Sequence, residues 1–195
     1  MTISKFNTIS IVTVNYNTSS VTCEFIISVL NSIEEAEKSI KDVEIIVVDN
    51  NSDRCDYNLL KHRMSEISEK NAHSKVNLRL IRLSKNYGYA PAINLAVRLA
   101  KHELIVISNP DVILEKNFFK KLMEIVNKLS LKLVNRIMIA PMIIIKDTRI
   151  INSSGLLLHV AGYGILRNLL RNTFDRIVNR PSVVLAPHGA LFIAT

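Results

Sequence analysis

The residues with the clearest chemical potential in this sequence form an Asn-Pro-Asp segment, Asn109 to Asp111. They lie within residues 106–115 (VISNPDVILE), directly behind an apolar run that has the character of a buried strand. An aspartate after Asn-Pro commonly closes a turn. A carboxylate at the end of a buried strand can also hold Mg²⁺ or Mn²⁺, which keep some water ligands and bridge substrate phosphates. The residues alone leave both roles open for Asp111.

A second carboxylate, Asp49, follows the apolar residues 44–48 (EIIVV) and opens a polar segment. It could cap a helix that starts after Asp56, or it could close an Asx turn with Ser52. At the end of a strand it could instead accept hydrogen bonds from a ribose or a base. Asp49 is therefore a second candidate site residue.

Two further polar segments follow strand-like runs. Residues 15–17 (NYN) come after residues 9–14 (ISIVTV), and residues 85–90 (KNYGYA) come after residues 78–83 (LRLIRL). Gly88 in the second segment suits a turn position of positive φ. The phosphate-binding patterns GxGxxG and GxxxxGK[ST] are both absent, which counts against an NAD enzyme and against a P-loop NTPase.

Most of the five histidines stand in polar surroundings where no ligand role is expected, namely His62, His73 and His102. His159 and His188 are less easily set aside. His188 lies in Pro187-His188-Gly189-Ala190, a predicted loop before a strand, where a site residue or a hydrogen-bonded structural histidine would both fit. His188 is kept as a candidate.

An alternation of strands and helices must position these polar segments. Strands that are apolar on both faces and alternate with helices form a parallel sheet covered on both sides. Ligands bind such sheets beyond the carboxyl ends of the strands, so all four segments are expected at one rim. Strands are predicted at residues 9–14, 44–48, 78–83 and 104–107, and helices at 21–33, at 59–69, from Pro91 and from Asn117.

The pattern is less regular beyond residue 145. Strands are predicted at residues 139–145, 183–186 and 190–194, with no pairing assigned. Residues 165–180 (ILRNLLRNTFDRIVNR) carry apolar side chains and four arginines at helical spacing. Such a helix packs on the sheet with its arginines exposed, or it lies on an anionic membrane.

Composition limits the class of protein. A chain of 195 residues with 48% hydrophobic residues predicts one globular domain. The net charge of +8 suits an anionic partner, such as nucleic acid, a membrane surface or a phosphorylated small molecule. Cys23 and Cys55 lack the spacing of a disulfide framework or a zinc site, which fits a reducing cytoplasm. Residues 1–8 lack the apolar stretch of a signal peptide, and no apolar run approaches the roughly 20 residues that span a bilayer.

Taken together, the polar segments resemble those of the family 2 glycosyltransferases of GT-A fold. The resembling residues are 15–17, 47–52 (VVDNNS), 86–90 with Asn94 behind them, and 109–111. The rhamnosyltransferase-like branch is the most similar, because it carries Asn-Pro-Asp where other members carry Asp-x-Asp. The resemblance runs from residue 9 to residue 195. It implies a GT-A-like three-layer α/β/α fold with a mainly parallel central sheet, of the nucleotide-diphospho-sugar transferase type.

The resemblance also implies roles for individual residues. Asp111 would bind a divalent cation, Mn²⁺ or Mg²⁺, or the donor diphosphate, with Asn109 beside it. Asp49 would contact the base or the ribose of the nucleotide, and Tyr16 would pack against the base. His188-Gly189-Ala190 resembles the family's Gly-Ala segment at the acceptor side. The other implied donor-binding residues are Asn17, Asn50, Asn86, Gly88 and Asn94.

The implied reaction moves a sugar from a nucleotide-sugar donor to an acceptor hydroxyl, with inversion. The acceptor would be a sugar or a lipid-linked molecule in the synthesis of a polysaccharide, a glycolipid or a glycoprotein glycan. Residues 9–111 would form the nucleotide-sugar-binding half of a single domain 1–195, and residues 112–195 an incomplete acceptor half. The expected location is the cytoplasm, with peripheral contact to the inner face of the membrane.

The family's general base is an acidic residue in a Glu-Asp motif beyond the Gly-Ala segment, and no such motif occurs before Thr195. The chain is therefore expected to be truncated and to transfer sugar poorly, and His188 is the first substitute base to test.

A non-catalytic nucleotide-binding domain, or a basic domain associated with nucleic acid, is the alternative with a similar α/β layout. A basic face lined with exposed aromatic residues would favour it. Aromatic residues make up only 6% of the chain, and arginines concentrate only in residues 167–180. Nucleic acid is therefore not an expected partner.

Overall fold

The computed structural model describes residues 6–71, 75–128, 137–174 and 182–195. The first part of the chain consists of four strand–helix units, which confirms the alternation predicted from the apolar periodicity. These units are β1 (Thr8–Asn15), α1 (Ser19–Glu35), β2 (Asp42–Asp49), α2 (Arg54–Lys70), β3 (Val76–Arg82), α3 (Tyr89–Leu99), β4 (Leu104–Ser108) and α4 (Phe118–Lys128).

Short strands follow in the later part of the described chain. They are β5 (Met138–Ile139), β6 (Ile143–Ile144), β7 (Ile151–Ser153), β8 (Leu156–Leu158), β9 (Gly164–Leu166) and β10 (Leu191–Ala194). β6 pairs with β7 and β8 pairs with β9, both antiparallel and outside the main sheet.

The main sheet has the strand order β3-β2-β1-β4-β10-β5. The first four strands are parallel, whereas β10 runs antiparallel to β4 and β5 antiparallel to β10. The register of β1 and β2 pairs Asn15 with Asp49, so the two strands end at the same level. The polar residues that follow the parallel strands therefore share one rim.

Buried apolar side chains cover both faces of this sheet. On one face, α1, α2 and α4 contribute Phe25, Leu60 and Phe119 to a common cluster. On the other face, α3 places Ala92 and Ala96 against the sheet. Burying one large apolar side chain, such as Phe25 or Leu60, stabilises the fold by roughly 1.5–3 kcal/mol. The three layers agree with the predicted α/β/α arrangement. None of the helices among the described residues is long and apolar enough to cross a membrane.

Glu44, a buried residue of β2, ties together the amino ends of the strands. Its carboxylate accepts hydrogen bonds from the Ser10 hydroxyl of β1 at 2.6 Å, from the Arg79 guanidinium of β3 at 3.1 Å and from the backbone N–H of Lys101. Burial by itself would raise the pKa of Glu44, but these hydrogen bonds outweigh it and lower the pKa below its ordinary value. An ionised Glu44 thus joins three strands to the turn that enters β4.

The amphipathic helix predicted at residues 165–180 is wrong in its described part. Ile165 and Leu166 belong to β9, and Asn168 and Leu170 have the positive φ of turn residues. The amide of Asn168 donates to the Ser154 hydroxyl at 2.8 Å. Asparagine favours turns, and a turn forms here in place of the helix that the spacing of apolar residues predicts. Residues 175–180 of the prediction lie outside the described residues.

Two predicted strands also differ from the structure because of proline. Residues 183–186 make only an isolated bridge between Ala186 and Leu156, since Pro187 has no N–H with which to extend the pairing. The strand predicted at 139–145 is divided into β5 and β6, with Pro141 between them.

Replacing Glu44 with Gln removes the charge and retains the shape. At pH 7 we expect the free energy of unfolding to fall by about 1–3 kcal/mol, because a buried hydrogen-bond network to an ionised group is disrupted. The folded pKa of Glu44 lies below the unfolded value of roughly 4.3, so the ionised carboxylate stabilises the fold above that value. This contribution is lost as the pH falls through the folded pKa.

Urea unfolding at pH 7 and near pH 3 measures this effect. The difference between the two proteins should be largest at pH 7 and should shrink at the acidic pH. Glu103→Gln, an exposed carboxylate next to β4, serves as the control and should change little. A deficit in Glu44→Gln that is the same at both pH values would contradict the assignment.

Candidate functional site

The carboxyl ends of the parallel strands open onto a cavity of about 440 Å³. All four polar segments singled out in the sequence contribute to its wall, together with the first residues of α1 and α3. The lining residues are Val14, Tyr16, Thr18, Val21, Asn50, Asn86, Gly88, Tyr89, Asn109, Pro110 and Asp111. The parallel topology thus brings together side chains that lie up to 97 residues apart, from Val14 to Asp111 (111 − 14 = 97).

Of the predicted donor-site residues, six line the cavity and three do not. Those on the cavity wall are Tyr16, Asn50, Asn86, Gly88, Asn109 and Asp111. Asn17, Asp49 and Asn94 do not line the cavity. Asn17 instead accepts a hydrogen bond from the Asp53 N–H at 2.8 Å, and Asn94 is exposed on α3.

Asp49 is completely buried, and both of its carboxylate oxygens have partners. One oxygen accepts from the Asn15 amide at 2.9 Å, and the other accepts from the Ser52 N–H at 3.3 Å and lies 3.6 Å from Nε of Arg82. The structure therefore contains the predicted bond between Asp49 and Ser52, but it spans three residues, one more than the two of an Asx turn. A helix that starts after Asp56 is wrong, because α2 begins at Arg54.

Asn15, which is buried, and Asp56, which is partly buried, form a connection that the sequence did not single out. The Asn15 amide donates to Asp56 at 3.0 Å, and Asp56 also accepts from the Ser19 N–H at the start of α1. Burial alone would raise the pKa of Asp56, but the hydrogen bonds from Asn15 and Ser19 outweigh it and lower the pKa. A carboxylate in the first turn of a helix was visible in the sequence, whereas its partner 41 residues earlier was not.

The amides of Asn50 and Asn86 are held in fixed orientations. Asn50 donates to Oδ1 of Asn86 at 2.9 Å and accepts from the Tyr87 N–H at 3.0 Å. Oδ1 of Asn86 also accepts from the Gly88 N–H at 2.8 Å. With its oxygen occupied twice, Asn86 has the two hydrogens of its Nδ2 left to offer a ligand in the cavity.

The amino end of α3 forms another part of the wall. Gly88 precedes the helix with φ of +86° and ψ of 169°, a conformation that is essentially restricted to glycine. The free N–H groups of a first helical turn favour negative charge. Beside them, burial and then the charge of Asp111 raise the pKa of Tyr89, so its hydroxyl stays protonated and can donate.

The loop that carries His188 lies next to the Asn-Pro-Asp segment. β10 pairs with β4 so that Leu191 is opposite Ser108, and the Asn109 N–H donates to the Ala190 carbonyl at 2.8 Å. Nδ1 of His188 accepts from the Ala190 N–H at 3.2 Å. A neutral imidazole with this bond carries its proton on Nε2, so the outward nitrogen donates and is not ready to remove a proton.

The cavity wall suits a cation that is shared with a ligand. Among the described residues, no group of three or more His, Cys, Asp or Glu could hold a metal ion. Asp111 is exposed and is the one carboxylate among the described residues that line the cavity. Mg²⁺ and Mn²⁺ often take one or two carboxylates and complete their shell with water and substrate phosphates, so the residues present fit such an ion.

A mainly parallel sheet with helices on both faces, and a cavity beyond the carboxyl ends of its strands, defines a three-layer α/β domain, a class in which ligands bind at those strand ends. The sequence profile "Glycosyl transferase family 2" matches residues 10–152, and the chain belongs to this family. The predicted GT-A-like α/β fold is thereby confirmed. None of the curated proteins matches the chain.

Solved structures of glycosyltransferases share this fold. The mannosyltransferase PcManGT from Pyrobaculum calidifontis, in complex with GDP-Man and Mn2+, superposes with a TM-score of 0.59 at 16% identity, over 98% of this chain and 45% of that one. TarS 1-349 from S. aureus gives a TM-score of 0.51 at 18% identity, over 73% of this chain and 41% of that one. The chain therefore spans less than half the length of either protein.

Gly88→Ala tests whether the conformation before α3 is needed. A Cβ at Gly88 would meet nothing within 4 Å, so the cost should come from the positive φ alone. We expect a loss of about 1–3 kcal/mol in the free energy of unfolding. The matched control is Gly189→Ala, which also has nothing within 4 Å but no positive φ.

Urea unfolding of both variants at pH 7 gives the comparison. Gly189→Ala should stay within about 0.5 kcal/mol of the parent. Equal stability of the two variants would show that Gly88 is not held in the strained conformation.

Proposed function

We propose that the protein transfers a sugar, with inversion, from a nucleotide-sugar donor bound in the cavity to an acceptor hydroxyl. The observation that carries the proposal is the convergence of four loops on one cavity that combines an aromatic ring, fixed amides and a single carboxylate. Membership of glycosyltransferase family 2 favours this function over a non-catalytic or nucleic-acid-associated domain. The Asn-Pro-Asp segment favours the rhamnosyltransferase-like branch.

The nucleoside would lie against Tyr16, which directly follows β1 and whose side chain is about half exposed (49%). A ring in this position can stack on a base. Asn86 would donate from its free Nδ2 to a carbonyl or ring nitrogen of the base, or to the ribose. Because the Asp49 carboxylate is buried with partners on both oxygens, its proposed contribution is to hold the loop that carries Asn50.

The diphosphate would lie between Asp111 and the amino end of α3. None of the described lining residues is Lys or Arg, so the Asp111 carboxylate would repel a diphosphate unless a cation lay between them. Asp111 would hold Mn²⁺ or Mg²⁺ there, and such an ion stabilises the charge that develops on a leaving nucleoside diphosphate. Tyr89, kept protonated, would donate to a phosphate oxygen. The mannosyltransferase solved with GDP-Man and Mn2+ supports this arrangement.

The acceptor would approach from the side of residues 188–190, where the Ala190 carbonyl accepts from the Asn109 N–H. Nε2 of His188 would donate to an acceptor oxygen and so help to orient it. A sugar or a lipid-linked acceptor in polysaccharide, glycolipid or glycoprotein glycan synthesis would suit such a site. The expected membrane contact loses its helical basis, because residues 165–174 form a strand and turns.

Asp111→Asn tests the proposed role of the carboxylate. Calorimetric titration with UDP, GDP and dTDP, each with and without Mn²⁺, identifies the preferred nucleotide of the parent protein. We expect the variant to lose the Mn²⁺-dependent part of that affinity, because a neutral amide is a poor ligand for a hard cation. Its free energy of unfolding should stay within about 0.5 kcal/mol of the parent, since Asp111 is exposed.

Asp53→Asn is the matched control, an exposed rim carboxylate that does not line the cavity. It should bind nucleotide as the parent does, with and without Mn²⁺. Equal Mn²⁺-dependent affinity in Asp111→Asn and the parent would refute the metal role. A parent that binds none of the three nucleotides would refute the donor site itself.

A further inference from the structure

The proposed donor site depends on Tyr16, yet no described hydrogen bond fixes the Tyr16 side chain. We infer that Asn15 and Asp56 are positioning residues that hold Tyr16 in the wall of the donor cavity. The inference rests on the proposed function, because it explains how the aromatic residue of that site is kept in place. It concerns two residues that do not line the cavity themselves.

Asn15 is completely buried at the end of β1 and uses both ends of its amide. Its Nδ2 lies within 2.9–3.0 Å of three acceptors, which are Asp49 Oδ1, Ser52 Oγ and Asp56 Oδ2. Its Oδ1 accepts from the hydroxyls of Thr22 at 2.9 Å and Thr18 at 3.2 Å. The residue before Tyr16 is therefore tied to α1 on one side and to the β2–α2 loop and α2 on the other.

Asp56 replaces the local cap of α1. Thr18 stands at the N-cap position but makes no side-chain capping bond, and its hydroxyl donates to Asn15. The N–H of Ser19, which has no partner within the helix, is satisfied instead by Asp56 of α2 at 3.0 Å. The direction in which the chain leaves Tyr16 and enters α1 is thus set by a carboxylate from a different helix.

Asn17 completes the attachment on the other side of Tyr16. Its backbone N–H donates to the Ser52 hydroxyl at 2.9 Å, and its side chain accepts from the Asp53 N–H at 2.8 Å. Asn17 has φ of 54°, a left-handed conformation that asparagine tolerates better than most residues. With Asn15 and Asn17 both tied to residues 52–56, the backbone of Tyr16 has little freedom.

The chemistry of the site requires an amide at position 15. Two carboxylates, Asp49 and Asp56, accept from the same NH₂ group, while two hydroxyls donate to the oxygen. An aspartate at this position has nearly the same size, but it would place a third carboxylate beside Asp49 and Asp56 and would remove the NH₂ donor. Asn15→Asp should therefore release the Tyr16 loop as strongly as Asn15→Ala.

Fluorescence can test this, because the chain contains no tryptophan. Tyr16→Trp places a single indole reporter at the cavity wall, and Asn15→Ala and Asn15→Asp are then made in that background. We expect both to lower the indole anisotropy and to increase its quenching by acrylamide, without any ligand. We also expect about tenfold weaker binding of the nucleotide preferred by the parent among UDP, GDP and dTDP, because a loosely held site residue loses its pre-organised contact.

Ser10→Ala is the matched control. Ser10 lies on the same strand, is equally buried and also donates to a buried carboxylate, but at the opposite end of the sheet. It should lower the melting temperature while leaving anisotropy, quenching and nucleotide affinity unchanged. Thr22→Val, which removes one hydroxyl from Oδ1 of Asn15, is a milder variant for use if Asn15→Ala does not fold, and it should shift all three readouts in the same direction.

The outcomes separate the inference from the proposed function. Unchanged anisotropy in the Asn15 variants, or changed anisotropy with unchanged nucleotide affinity, overturns the positioning role. Losses of the same size in Ser10→Ala overturn it as well, because they would show a general loss of stability. If Tyr16→Trp and the unmodified chain both bind none of the three nucleotides, the donor site is refuted, whereas the positioning role fails only on the comparisons above.

Discussion

The register between β1 and its two parallel neighbours determines where every loop of the cavity lies. Asn15 is opposite Asp49, and Val12 is opposite Ile107, so the chain leaves three central strands at nearly the same height. The strand order also reverses here, since β2 and β3 lie on one side of β1 and β4 on the other. Loops at such a reversal diverge and leave a crevice, and this crevice is the cavity. A shift of one residue in β1 would move Asn15 away from Asp49 and exchange the side chains that β1 presents to the two faces of the sheet.

Buried and partly buried carboxylates secure the two ends of the sheet in different ways. At the amino end, Glu44 accepts from two side chains and a backbone N–H and connects strands that already pair. At the carboxyl end, Asp49 and Asp56 converge on the Asn15 amide and so connect the end of β1 to the β2–α2 loop and to α2. The charges of the protein are therefore not spread evenly. The net charge of the chain is +8, yet none of the described residues that line the cavity is Lys or Arg, and Asp111 is the one acidic residue among them.

The first half of the fold could be predicted because its strands are buried on both faces. Residues such as Ile11, Ile45 and Val106 lie in central strands and are fully buried. A fully buried position requires an apolar side chain, so a run of apolar residues in the sequence indicates a central strand. The polar residues behind these strands could then be assigned to one rim by topology alone. Whether Asp49 faces a ligand or its own backbone could not be predicted, because a buried turn that bonds to Ser52 and a base-binding carboxylate use the same residue at the same place. The location of His188 beside Asn109 was equally hidden, since it depends on the antiparallel insertion of β10. The apolar pattern of residues 165–174 fits a helix and also fits a short strand followed by turns. The pairing of β9 with β8 stabilises the strand, and this pairing could not be predicted from the sequence.

The late position of β10 in the chain has a consequence for synthesis on the ribosome. All the residues that line the cavity have been made once Asp111 is added, whereas β10 begins 80 residues later (191 − 111 = 80). At typical translation speeds of roughly 5–20 residues per second, this interval lasts on the order of 4–16 s. During that time the nascent chain presents β4 as an open sheet edge, with unpaired backbone groups and apolar flanks. The interval in which the growing chain is most open to wrong pairing thus ends only when β10 arrives and covers the edge of β4.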